Sequence, residues 1–114
     1  MSTQQSETPV IDVISDMTAA SVERWTGDAK TLMLVRLAAL ASVDAPPVSY
    51  LTNLGIGGEF GVEAEDVQQV LIGIAPVVGS ARVASAAGNI VRGLGLAIAV
   101  ADAEMEEKAA ASDS

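Results

Sequence analysis

The sequence predicts an all-α protein, a compact bundle of four to six helices that associates with copies of itself. No stretch alternates apolar and polar residues as a half-buried strand would, and apolar residues instead recur at three- and four-residue spacings. Half of the 114 residues are apolar, and Trp25, Tyr50 and Phe60 are the sole aromatics, so the core is packed from Ala, Val, Leu and Ile. A chain this short buries a modest share of its surface, and a mean hydropathy of +0.41 leaves more apolar side chain than one small fold hides. Subunit association is the expected outlet.

One domain is expected over residues 9–103, between a disordered polar arm at 1–8 and an acidic disordered tail at 104–114. Val10, Ile14, Met17 and Val22 follow a helical period from Pro9 to Trp25, and Pro9 suits a first turn. Thr26-Gly27-Asp28 breaks that helix, and Asp28 can cap the next. From Ala29 to Val43 the chain is apolar all round except for Arg36, the pattern of a helix buried on most faces. Asp44-Ala45-Pro46-Pro47 ends it and opens a third helix, expected to Leu54 or slightly beyond.

Gly55, Gly57, Gly58 and Gly61 then read as a flexible turn around Glu59 and Phe60. Glu63, Glu65 and Asp66 suit the first turn of another helix, whose stripe Val67, Val70, Leu71, Ile74 and Ala75 is interrupted by Pro76. After a turn at Val77 to Ser80, the last helix carries two stripes. One is apolar through Val83, Ala87, Ile90, Val91, Leu94 and Ile98; the other, Ala81, Ser85, Asn89, Gly93, Ala97 and Ala101, is small at every fourth position and admits a close backbone.

Composition closes off several chemistries. The chain has no Cys and no His, which excludes disulfides, thiolate chemistry and histidine acid–base catalysis; no metal and no cofactor is expected. Fifteen acids against six bases give a net charge of −9, with the basic residues scattered singly, so neither nucleic acid nor an anionic membrane surface is an expected partner. Met1 to Thr8 lacks the basic-then-apolar order of a signal peptide, and Arg36, Arg82, Asn89 and Arg92 interrupt the longest apolar stretches, which points to a cytoplasmic protein without a membrane span.

Gly55-Ile56-Gly57-Gly58 lacks the spacing and the preceding strand of a dinucleotide loop. Arg36 is the outstanding single residue, with Leu32 and Leu40 one turn away on its own face. It is expected to pair with an acid such as Glu59 or Asp44 at an interface, or to anchor a carboxylate ligand. Glu59, beside Phe60, is a candidate general base.

Leu34-Val-Arg-Leu-Ala-Ala-Leu-Ala, Asp44-Ala-Pro-Pro, Gly61-Val-Glu-Ala-Glu-Asp-Val-Gln-Gln-Val-Leu-Ile-Gly-Ile-Ala-Pro and Gly79-Ser-Ala-Arg follow one another between Thr31 and Ile98. This stretch resembles the carboxymuconolactone decarboxylase family, which includes the alkylhydroperoxidase-D-like thiol enzymes. The resemblance implies a helical bundle assembled as a homotrimer or homohexamer. The glutamate, cysteine pair and histidine of the thiol members fall on Met33, Ala45, Val48 and Thr52, so no catalytic residue carries over. Decarboxylase-type members also keep a histidine near the place of Thr52.

What the resemblance implies is an oligomeric binding or assembly subunit without thiol peroxidase activity, with an interfacial pocket near Arg36, Tyr50, Thr52 and Asn53. The alternative is a cofactor-free enzyme acting on a small lactone or carboxylate at a subunit-interface pocket. Arg36 would bind the carboxylate there, Glu59 or Tyr50 would move the proton, and a pocket holding both Arg36 and Glu59 would favour it. A third reading is a scaffold whose small-residue helix, Ser80 to Ala101, packs on itself across subunits.

Overall fold

The computed structural model describes residues 6–112. It is all-helical, with five helices in order: α1 Pro9–Arg24, α2 Ala29–Ser42, α3 Pro47–Glu59, α4 Ala64–Val78 and α5 Ser80–Ser112. Residues 1–5 of the expected arm and the last two of the expected tail lie outside the described residues.

Local chemistry explains most of the helix ends. Asp28 caps α2 by accepting from the Thr31 N–H at 2.6 Å. Hydrogen bonds from the side chain and then the backbone of Thr31 hold the Asp28 carboxyl below its usual value. The α2 helix closes at Asp44, whose φ of 55° is a left-handed conformation that Asp tolerates. Paired bonds Ala45 N to Leu40 O (3.0 Å) and Asp44 N to Ala41 O (3.2 Å) satisfy the last carbonyls. The same pair closes α3, with Gly61 at φ 84°, Val62 N to Gly57 O at 2.9 Å and Gly61 N to Gly58 O at 3.3 Å. Asp66 accepts from the Glu63 N–H at 2.8 Å at the start of α4. That bond, and then the Lys30 ammonium 3.2 Å away, lower the Asp66 carboxyl.

Three boundaries differ from the sequence reading. Gly55, Gly57 and Gly58 are not a loop: α3 runs through them to Glu59. Gly57 is buried, and a Cβ there would lie 3.3 Å from Val62 and 3.7 Å from Met33, so this glycine serves helix packing. Pro76 does not stop α4, which runs to Val78, because a proline this near a helix end removes one bond of the last turns; Gly79 at φ 87° makes the break. Residues 104–112 form the final turns of α5, in a run rich in the strong helix formers Ala, Glu, Met and Lys.

The core consists of Leu37, Ala45, Tyr50 and Ile90, with Leu40, Leu54, Val67, Val70 and Leu71 packed against it. It lies among α2, α3, α4 and the first half of α5. The small stripe of α5 seats against the α2–α3 corner of its own chain. Ser85 donates to Asp44 Oδ1 at 2.6 Å and Asn89 Nδ2 to the Ala45 carbonyl at 3.3 Å. One turn further, a Cβ on Gly93 would sit 2.8 Å from the Pro47 carbonyl oxygen and 3.0 Å from Tyr50 Cβ, too close for any side chain.

Two helical segments have little against them. Among the described residues no other helix packs on α1, and its apolar residues from Val10 to Met17 are more than half exposed. Beyond Gly93, the large apolar side chains of α5 are exposed as well, up to 70% at Met105.

Gly93→Ala is expected to lower stability by about 1–3 kcal/mol in thermal unfolding, since the added methyl meets backbone rather than a movable side chain. Gly73→Ala, where nothing lies within 4 Å of the new methyl, is expected to raise it by about 1 kcal/mol through helix propensity. Equal effects at the two positions would contradict the close approach of α5.

Candidate functional site

Trp25 and Gly27 set how α1 leaves α2. The Trp25 indole donates to the Asp28 carbonyl at 2.9 Å. Its ring lies over Gly27, where a Cβ would come within 2.9 Å of it. This turn holds α1 above α2 and α3 without bringing their backbones into contact. An open groove of about 560 Å³ lies between the three helices.

Its walls are largely apolar: Ile14 and Met17 from α1, Met33 and Leu40 from α2, and Ile56 from α3. Arg36, Thr52 and Asn53 also line it, so the groove gathers three of the five residues singled out in the sequence. Arg36 spans the gap and donates from Nη2 to Ser21 Oγ at 3.1 Å. Asn53 donates to the Met33 carbonyl at 3.4 Å, tying α3 to α2.

Within one chain Arg36 bonds to neither of the acids expected for it at an interface. Asp44 accepts from Ser85, and Glu59, the last residue of α3, is exposed and does not line the groove. Among the described residues the one ion pair is Lys30–Asp66. Ser21 was missed in the sequence because it is fifteen residues from Arg36 and on another helix. The usable signal was the spacing of Ile14, Met17, Thr18 and Ser21, which places all four on the face of α1 that lines the groove.

Tyr50 is not in the groove. It is fully buried in the core, and its hydroxyl has no hydrogen-bond partner among the described residues. Burial, and then the Asp44 charge, push its pKa above 10.0. The phenol stays protonated at neutral pH and offers no base. The groove thus presents one permanent cation, hydroxyls and an amide on apolar walls, with no carboxylate, His or Cys among its lining residues. It can bind an anionic or apolar group but holds no proton acceptor for catalysis. A second cavity of about 570 Å³, between α3, α4 and α5, is lined by Leu54, Val67, Leu71 and Leu94, with Glu63 at its edge.

Comparison with known proteins finds no family model, no curated protein and no solved structure that matches this chain.

An unpartnered buried hydroxyl costs about 1–3 kcal/mol of desolvation. Tyr50→Phe is therefore expected to leave thermal stability level or raise it by about 1 kcal/mol. A loss of that size would mean that the hydroxyl is hydrogen-bonded in solution.

Proposed function

We propose that this chain is a cytoplasmic, homo-oligomeric binding or assembly subunit with the helical architecture of the carboxymuconolactone decarboxylase family and without its thiol chemistry. The observation that carries this reading is the apolar surface left uncovered on α1 and on the far half of α5. Val13, Ile14 and Met17 on α1, and Ile98, Val100 and Met105 on α5, are each at least half exposed. Apolar surface on this scale marks an interaction site, and a 16-residue helix tied to the bundle by little more than one side-chain hydrogen bond is marginal in water.

A protein partner accounts for α5 better than a bilayer does. By length and composition α5 could cross a membrane. Yet Arg92 stands in the middle of the apolar run 83–101, where a charge inside the hydrocarbon core is costly. Asp102, Glu104, Glu106, Glu107 and Lys108 then follow within the next two turns. Within one chain the groove holds Arg36 without Glu59, and Tyr50 lies in the core, which supports binding over the enzyme alternative.

Trimeric or hexameric assembly is the expectation that comes with the family resemblance. The native mass in sedimentation equilibrium is then three or six times the 11.6 kDa chain. A monomer that persists at micromolar concentration would contradict the assembly reading.

A further inference from the structure

We propose that the groove between α1, α2 and α3 receives the far half of α5 from a second copy of this chain, with Arg36 pairing with Asp102 of the partner subunit. This inference rests on the assembly reading above and names the surfaces that meet.

The groove and α5 match in length. The groove follows each of its helices for about two turns, from Ile14 to Ser21, Met33 to Leu40 and Ser49 to Ile56, which is about 10 Å in each case. On α5, Ile98, Ala101 and Met105 fall on one face, and the span from Ile98 to Met105 is the same two turns. Ile98 and Met105 are 56% and 70% exposed, so the face is free within its own chain. It is also a quarter-turn away from the residues that seat α5 on its own bundle, Ala86, Ile90 and Gly93. Among the described residues, none of α5 lines the groove of its own subunit.

The two surfaces also match in charge and polarity. Met33, Leu40, Ile14, Met17 and Ile56 give the groove apolar walls suited to Ile98 and Met105. Arg36 has used one donor on Ser21, and no acid lines the groove beside it. On α5, Asp102 and Glu106 run along one edge of the apolar face, with Asp102 one turn beyond Ile98. A guanidinium on one wall thus meets a carboxylate on the edge of the inserted helix. Donor and acceptor surfaces are different parts of the chain, so the exchange closes as a reciprocal pair or as a ring, and a three-membered ring gives a trimer.

The absence of cysteine from the chain makes the test direct. In the double variant Ile56→Cys/Ile98→Cys, mild oxidation is expected to give disulfide-linked dimers and larger species on a denaturing gel, while each single variant stays at monomer mass. Arg36→Asp and Asp102→Arg should each weaken association about tenfold, and combining them should restore it.

An oligomer that forms no interchain disulfide and ignores the charge reversal would overturn the inference and leave the assembly reading standing. A monomer would overturn both. Two further results would overturn the inference: a double variant Ile14→Cys/Ile56→Cys that closes efficiently within one chain, showing α1 folded down on its own groove, or flotation of the protein with phosphatidylcholine vesicles without interchain disulfide.

Discussion

The close approach of α5 to the corner between α2 and α3 organises the rest of the molecule. Gly93 lets the α5 backbone reach the Pro47 carbonyl and the root of the Tyr50 side chain. Ser85 and Asn89, two turns and one turn earlier, hold the same corner through Asp44 and the Ala45 carbonyl. Asp44 can accept from Ser85 because its left-handed backbone ends α2 there, and that bend also starts α3. The three contacts at four-residue spacing fix the direction of α5, which then has enough length left to run past the bundle. Both the core around Tyr50 and the exposed far half of α5 are consequences of that one alignment.

At the other end of the chain the support is thinner. The Trp25 turn and the Arg36–Ser21 bond position α1, yet among the described residues no other helix packs on it. An exposed side-chain hydrogen bond is worth about 1 kcal/mol, small against the entropy of ordering sixteen residues. On the proposed assembly, apolar contact from a second copy supplies the rest of the stability of α1. The same holds for α5 beyond Gly93, and the open groove beneath α1 has apolar walls of its own. The exposed α1, the exposed far half of α5 and the open groove in the same chain are the complementary surfaces on which the proposed assembly rests.

Much of the fold was legible in the sequence because it is written in local chemistry. The Asp28 cap, the proline starts of α1 and α3, the acidic start of α4 and the close-packing stripe through Ser85, Asn89 and Gly93 each follow from residue type at a given spacing. The glycines of α3 misled because their turn preference is weak beside a packing demand: Gly57 is helical since Met33 and Val62 leave no space for a side chain. Local preference was likewise outweighed at Pro76.

The candidate site was harder to read. Arg36, Thr52 and Asn53 share the groove, as their places on neighbouring helices allow. Tyr50, two residues before Thr52, turns to the opposite side of α3 and into the core. Glu59 ends the helix in solvent. The Ser21 contact depends on the angle between α1 and α2, a property of the Trp25 turn that no periodicity encodes.

Hydrogen–deuterium exchange on the intact protein tests most directly whether a second copy completes the fold. The account predicts that amides of Val10–Met17 and Leu96–Met105 exchange slowly at assembling concentrations, approaching those of α2, and lose protection on dilution while α2 keeps its own. Fast exchange of both segments at every concentration, beside a protected α2–α4 core, would contradict it.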